Sequence, residues 1–203
     1  MALLQKNGIP VPDYAFVRTR EEAMAAAAAR DTELVMKVVS PQIIHKSDVG
    51  GVILHISTPE QAGEAFDRLE KIGEGNDFRG AILCPMLKSG KEVILGLTRD
   101  SQFGPVVAFG MGGIYTEVLK DVTFRVAPVS EEMPVNDRRD QDVSAAERRS
   151  WRVWLRSGCA GKGNCRIFGA AVPVSGSRKS DLNPIFLYED GLCAVDARIL
   201  GKR

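Results

Sequence analysis

The chain has 203 residues, of which 44% are hydrophobic and 26% are charged, so it can bury one sizeable core or two small ones. Its formal net charge of +1 gives no general attraction to nucleic acid or to an anionic membrane surface. No apolar run reaches the length of a membrane span and the N-terminus lacks a secretory apolar region, which predicts a cytoplasmic protein with neither a nucleic-acid nor a membrane partner.

Cysteine usage agrees with that compartment. The four cysteines are Cys84, Cys159, Cys165 and Cys193, and they form no CxxC pair or other metal-ligand spacing. This pattern fits a reducing environment and argues against structural zinc.

In chain order, the first predicted elements are alternating helices and strands. A short helix and an extended segment come first, and a helix then begins after Thr19, whose spacing to Glu22 is that of a capping box. "ELVMKVVSP" predicts a buried strand and "GVILHIS" a second strand in which His55 is structural. "TPEQAGEAFDRLEKIG" predicts a helix capped by Thr58 and stopped by Gly73.

Strands predominate from Arg79 onward. "GAILCPML", "KEVILGLTRD" and "GPVVAFGMGG" predict a meander, and "DLNPIFLYEDGLCAVDARIL" predicts two more strands joined by a turn. Because helices alternate with strands that include an antiparallel hairpin, the pattern indicates an α+β fold. A doubly wound Rossmann sheet is not indicated, since the chain has no GxGxxG or Walker loop.

Two candidate features follow the first buried strand. Lys37 is a charged residue inside this apolar strand, where it either extends its ammonium group to solvent or neutralises an anionic ligand. His45 and Lys46 come next, before the paired glycines Gly50 and Gly51, which favour a loop. A strand lysine followed by a glycine-bearing loop is a common construction of phosphate sites.

Two other groups of residues carry candidate chemistry. Gly112 and Gly113 directly follow an apolar strand, where they either form a tight turn or bring backbone amides to phosphate oxygens. Asn183 and Asp196 occupy the same relative place on two adjacent predicted strands, so their oxygens could converge on one hard cation such as Mg²⁺. The alternative is that Asn183 only initiates the turn before Pro184.

Four segments, taken in order, resemble the β subunit, or ATP-grasp domain, of ADP-forming acetyl-CoA synthetases. They are "GIPVPDYAFV", "VMKVVSPQIIHKSDVGGV", "EVILGLTRDSQFGPVVAFGMGGIYTEVLKDVTFRVAP" and "DLNPIFLYEDGLCAVDARI", and the resemblance extends from residue 8 to about 130 and over 181–199. The resemblance implies that residues 1–203 form an α+β ATP-grasp fold that binds ATP or ADP with Mg²⁺. Its two subdomains would span about 18–80 and about 81–203 and clasp the nucleotide between them.

The resemblance also implies a reaction and a partner. The family interconverts acyl-CoA, ADP and phosphate with acid, CoA and ATP, and a histidine carries the phosphoryl group. An α subunit with CoA-binding and ligase domains forms the acyl phosphate, so we expect a hetero-oligomer. The acid substrate is not predicted, because its pocket would belong to that partner.

The resemblance assigns roles to matching residues in the nucleotide cleft. Lys37 matches the lysine that neutralises nucleotide phosphates, and Glu92 matches a polar residue of the cleft. Backbone groups of Cys84, Pro85 and Met86 match the hinge that bonds adenine.

The metal and phosphoryl-transfer residues are assigned in the same way. Asn183 and Asp196 match the magnesium ligands, and Asp181 matches an acid that orients an incoming phosphohistidine. His45 matches a loop histidine that itself takes the phosphoryl group and swings it to the nucleotide. The alternative for His45 is static binding of phosphate by the imidazolium.

The neighbours of this histidine fit a mobile carrier. Lys46 could screen the phosphate charge, and Asp48 could fix the tautomer of the ring. Gly50 and Gly51 would supply a hinge.

Two other functions stay open at this point. One is the ATP-grasp portion of a protein of the lysine acetyltransferase type, although no acetyltransferase domain is present on this chain. The other is a catalytically inactive regulatory or structural partner.

Residues 133–180 differ in kind from the rest of the chain: they are rich in arginine and have no sustained period of 3.6 or 2. Read one nucleotide later with suitable synonymous codons, "MPVNDRRDQDVSAAERRSWR" becomes "CPLMIAEIKTYPLLKGVRGE", which has amphipathic helical spacing and resembles the missing family segment. In that frame Trp151 followed by Arg152 must give glycine. We therefore predict that this segment is translated out of frame between two compensating shifts in the gene or its sequence record.

Overall fold

The computed structural model describes residues 1–112, 122–126, 177–188 and 191–201. They divide into two compact units. One is the continuous segment Pro12–Lys88, and the other combines Met1–Val11 with the described residues from Ser89 onward. Gly113 and residues 133–176 of the anomalous segment lie outside the described residues.

The described part of the chain contains helices and strands in mixed order. The helices are α1 (Ala2–Lys6), α2 (Arg20–Ala28) and α3 (Pro59–Gly73). The strands are β1 (Ala15–Val17), β2 (Leu34–Val39), β3 (Val52–Ile56), β4 (Gly80–Pro85), β5 (Lys91–Asp100), β6 (Gly104–Met111), β7 (Val122–Val126), β8 (Ser177–Leu187), β9 (Leu192–Ala194) and β10 (Ala197–Gly201). None of the described helices is long and apolar enough to cross a membrane.

In the unit Pro12–Lys88, four antiparallel strands in the order β1-β4-β2-β3 pack against α2 and α3. Both helices begin at the predicted caps: the Thr19 hydroxyl accepts from the Glu22 amide and the Thr58 hydroxyl from the Gln61 amide, each at 3.2 Å. These side chains satisfy amides that the first helical turn leaves without intrahelical partners.

Every second side chain of β2 contributes to the core of this unit. Leu34, Met36 and Val38 belong to a buried apolar cluster together with Phe66 and Leu69 of α3. Every second residue of a strand points to the same face, so the remaining side chains of β2 lie on the face turned away from the helices.

The second unit is an antiparallel sheet in the order β10-β8-β5-β6-β7, with β9 also paired to β8. Val93 and Leu95 of β5 are buried against Leu182 and Ile185 of β8 in its core. Leu4 of α1 and Ile9 belong to the same cluster, which is why the first eleven residues belong to this unit rather than to the segment that follows them.

The strand predictions need two corrections. β4 pairs with β1 and β2 and not with β5, so the predicted meander does not form. The C-terminal segment holds three strands instead of two, because β9 ends at Ala194 and β10 starts at Ala197.

His55 lies at an irregularity of β3. Leu34 pairs with Ile56 and Met36 with Ile53, so two residues of β3 lie opposite Val35 and form a bulge. His55 adopts a φ of 60° there, and its Nδ1 lies 2.9 Å from a carboxylate oxygen of Glu33.

Candidate functional site

Lys37 lies on the helix-free face of the first sheet. It is 8% exposed, it pairs with Val52 and Ile82, and it is two residues along β2 from Val35, which pairs with Cys84. Directly paired residues share a face, so the lysine and the predicted adenine hinge lie on one side of this sheet.

The predicted hinge, Cys84–Met86, continues β4 beyond its pairing with β1, which ends at Leu83. On the other side, the Met86 amide donates to the Glu33 carbonyl at 2.8 Å, so that amide is already used within the sheet. A base would therefore meet this segment from the side of β1, where backbone groups of Pro85 and its neighbours can face it.

His45 lies on the loop that joins β2 to β3, as predicted. The loop has residues 40–51, and His45 and its neighbour Ile44 are exposed, Ile44 by 54%. A nucleophilic ring at the surface of a loop can be reached by a partner molecule.

The two loop glycines have different roles. Gly50 adopts a φ of +69°, and the nearest atom to a Cβ built there is 3.8 Å away, so it needs glycine for its backbone conformation. Gly51 has no room for a side chain, because a Cβ there would lie 2.6 Å from Cγ1 of Val38 and 2.9 Å from the Lys46 carbonyl oxygen. The Gly51 backbone also bonds through both its amide and its carbonyl, and the Gly50 amide donates to the Ser47 carbonyl at 3.1 Å, so the hinge at these two glycines stays a prediction.

In the second unit, Glu92 and Gly112 are in contact. The Gly112 amide donates to the Glu92 carbonyl at 2.8 Å, and a Cβ on Gly112 would lie 2.9 Å from Cβ of Glu92. Gly112 is thus a close-approach glycine whose amide is already occupied, which argues against the predicted phosphate contact from that group. The predicted phosphate contact at Gly113 lies outside the described residues.

Asp181 and Asn183 lie on β8, alternating with buried Ser180 and Leu182. Asp181 therefore belongs to the face of this sheet opposite its core. Asn183 is exposed at the irregularity that follows, where the pairing with β5 shifts between Leu182 and Ile185. Asp181 pairs with Gly96 on β5 and with Arg198 on β10. Gly96 has no side chain, so nothing at that position of β5 covers Asp181.

Asn183 and Asp196 are brought together by the turn between β9 and β10. The Asn183 amide donates to the Asp196 carbonyl oxygen at 3.2 Å, and Oδ1 of Asp196 accepts from the Ala197 amide at 2.9 Å. This second bond limits the orientation of the Asp196 carboxylate. Burial lowers the pKa of the Met1 amino group, and the charge of Asp196 acts in the opposite direction.

The predicted magnesium ligands are an amide oxygen at Asn183 on β8 and a carboxylate at Asp196 in the turn between β9 and β10. Mg²⁺ prefers oxygen donors of this kind, with phosphates and water completing its shell. The described residues contain no cluster of three or more His, Cys, Asp or Glu that could hold a metal ion.

Sequence reasoning missed Ser40. It directly follows β2, is half-buried, and its hydroxyl accepts from the amides of Gln42 and Ile43 at 3.0 and 3.2 Å and donates to the Asn76 carbonyl. The available signal was a serine before Pro41 at a strand end, because serine hydroxyls bond to backbone amides two or three residues further on.

Comparison with known proteins identifies the family. The chain matches the ATP-grasp domain over residues 1–137, a match that ends within the anomalous segment. It is 40% identical over 205 residues to the acetate–CoA ligase [ADP-forming] I subunit beta of Pyrococcus furiosus, covering 98% of this chain and 88% of that protein.

A longer relative and a solved structure agree with this match. The acetate–CoA ligase [ADP-forming] II of Archaeoglobus fulgidus is 38% identical, and all of this chain spans 30% of it. The dinucleotide forming acetyl-coenzyme A synthetase 1 of Ca. Korarchaeum cryptofilum, in complex with coenzyme A, Ca-AMPCP and HgCl+, superposes with a TM-score of 0.77 at 31% identity, over 99% of this chain and 90% of that one. The chain therefore belongs to the ATP-grasp family, among the β subunits of ADP-forming acetyl-CoA synthetases.

Proposed function

We propose that this chain binds the nucleotide of an ADP-forming acyl-CoA synthetase and carries a phosphoryl group on His45 between ADP and a partner subunit. The observation that carries the proposal is the course of β2: it holds the buried Lys37, pairs with the strand of the predicted adenine hinge and leads directly into the loop of His45. The lysine for the phosphates and the nucleophile would thus lie on one short segment, next to the strand that would bind the base.

The chemistry on His45 needs no group beyond the ring itself. During ATP synthesis, the N–P bond of phosphorylated His45 breaks while a terminal oxygen of ADP forms the new P–O bond. The ring leaves with the electron pair of the broken bond and then takes a proton from solvent. Imidazole suits this role because its pKa lies near neutrality, so the free base can both attack and leave.

The other site residues stabilise charge. The ammonium group of Lys37 would neutralise the nucleotide phosphates, and Asp181 would orient the phosphorylated ring. Asn183 and Asp196 would hold a magnesium ion, which when bound neutralises phosphate charge.

The partner would be an α subunit with CoA-binding and ligase domains, joined to this chain in a hetero-oligomer. The name of the Pyrococcus relative as a subunit beta, and the longer Archaeoglobus relative of which this chain matches 30%, support this division of labour. The exposed position of His45 lets the phosphoryl group reach such a partner.

A matched pair of variants tests the role of the histidine. We expect His45→Asn to abolish acid-labile phosphate on the chain after incubation with ATP labelled at the γ-phosphate and Mg²⁺, while ADP affinity stays within roughly twofold, because the change removes the nucleophile and not the nucleotide contacts. His55→Asn is the control, since it changes the chain's other histidine and asparagine tolerates the positive φ there. Equal loss of labelling and of ADP binding in His45→Asn would show the static phosphate-binding role instead.

A further inference from the structure

The hydroxyl of Ser40 holds the beginning of the His45 loop at three points. It accepts from the amides of Gln42 and Ile43 and donates to the carbonyl oxygen of Asn76. A serine hydroxyl has one proton to donate and two lone pairs that accept, so these contacts use its whole capacity.

Asn76, which accepts from Ser40, is itself held by hydrogen bonds. Its own amide donates to the Gly73 carbonyl at 2.9 Å, and its side-chain nitrogen donates to the Glu74 carbonyl at 3.3 Å. Both acceptors belong to the C-terminal end of α3, a helix whose Phe66 and Leu69 are buried in the core. Through Ser40, the start of the loop is attached to a helix that packing holds in place.

A second attachment closes the other end of the loop. The Gly51 amide donates to the Lys46 carbonyl at 2.7 Å, and the Gly51 carbonyl accepts from the Val38 amide at 2.9 Å. Between the held amide of Ile43 and the held carbonyl of Lys46 lie only Ile44 and His45. The backbone on either side of Ile44 and His45 is therefore held by these two attachments, and one of them depends on a single side-chain hydroxyl.

We propose that Ser40 is a positioning residue for phosphoryl transfer to and from His45, an inference that rests on the proposed function. Ser40 touches neither the nucleotide phosphates nor the transferred group in this role. Its hydroxyl limits the backbone before the ring to one arrangement, so that the ring nitrogen meets the phosphorus in a productive geometry in a larger fraction of encounters. Without the hydroxyl, two amides and one carbonyl lose their partner, and the segment before His45 samples more conformers.

Three variants of Ser40 test this with the intact chain, labelled ATP and Mg²⁺. We expect Ser40→Ala to lower the maximal single-turnover rate of phosphate incorporation roughly tenfold or more, with the half-saturating ATP concentration unchanged, because orientation and not nucleotide binding is lost. Ser40→Thr keeps the hydroxyl and should restore most of the rate. Ser40→Cys keeps the size of the side chain but bonds weakly, so it should resemble Ser40→Ala and serves if the alanine variant does not fold.

Ser57→Ala is the matched control, since Ser57 is an exposed serine of the same unit and its change should leave the rate at the unmodified value. Loss of rate in Ser40→Ala and Ser40→Cys with rescue by Ser40→Thr supports the inference. A normal rate in the alanine or cysteine variant, no rescue by threonine, or a proportional rise in half-saturating ATP would overturn it. Absence of label on the unmodified chain, or label that survives His45→Asn, would refute the proposed function itself and with it this inference.

Discussion

The amide nitrogen of Gly51 lies 2.7 Å from the carbonyl oxygen of Lys46, and this bond closes the loop that carries His45. A Cβ at Gly51 would lie 2.9 Å from the same oxygen and 2.6 Å from Cγ1 of Val38. We expect Gly51→Ala to reduce the free energy of unfolding by about 1–3 kcal/mol, because backbone and core must both move to admit the methyl group. Thermal unfolding measures this.

Two other glycines serve as controls for that measurement. Gly191→Ala should be close to neutral, since no atom lies within 4 Å of a Cβ built there. Gly50→Ala should cost roughly 1 kcal/mol through its positive φ alone. If the Gly51→Ala protein were as stable as the Gly191→Ala protein, the close contacts around Gly51 would be contradicted.

The buried Lys37 should be needed for nucleotide binding and not for folding. We expect Lys37→Met, which keeps an unbranched chain without charge, to weaken ADP affinity roughly tenfold or more, because a charge-assisted contact to phosphate is lost. Lys71→Met, on the exposed side of α3, is the control. Calorimetric titration decides the matter: unchanged affinity in Lys37→Met would mean that the lysine only extends toward solvent from its strand.

The pair Asn183 and Asp196 should govern the magnesium dependence of binding. We expect Asn183→Ala and Asp196→Asn to raise the Mg²⁺ concentration needed for half-maximal ADP binding roughly tenfold, because each removes an oxygen ligand or its charge. Asparagine at 196 can still accept from the Ala197 amide, so local structure is retained. Asp100→Asn, an exposed acid of the same unit, is the control, and an unaltered Mg²⁺ dependence in both test variants would refute the ligand assignment.

ATP synthesis should require an added partner. We expect the isolated chain to give no ATP from acyl-CoA, ADP and phosphate, because forming the acyl phosphate needs groups that we assign to an α subunit. Adding the α subunit of a relative should restore turnover, which a luciferase assay detects. Turnover by the chain alone would contradict this division of the active site.

How far the sequence could predict the structure depends on how far apart in the chain the interacting residues are. Thr19 and Thr58 were correctly predicted as caps, since a cap depends on residues three positions apart. Placing β4 in the first sheet depends on pairs such as Val35 with Cys84, which are distant in the chain and leave no local signal. The different roles of Gly50 and Gly51 were equally hidden, because they arise from Val38 and the Lys46 carbonyl packing against one of them.

The segment 133–180 carries the prediction that depends least on structure. Most of it, residues 133–176, lies outside the described residues, while residues 177–180 begin β8 in register with β5 and β10. We expect tryptic digestion of the protein expressed from its natural gene to give the shifted peptide "TYPLLK", because that frame restores an amphipathic pattern. Mass spectrometry settles it, and the peptide "VWLR" of residues 153–156 would show that the printed frame is translated.

The chain enters and leaves the unit Pro12–Lys88 between two parts of the other unit, so the second core cannot close until the C-terminal strands exist. On the ribosome, Leu4 and Ile9 emerge before the inserted unit, yet the strands that bury them emerge after it. The inserted unit can therefore fold during synthesis while the apolar side chains of α1 are still uncovered. A chaperone that binds short apolar segments would bind α1 in this interval.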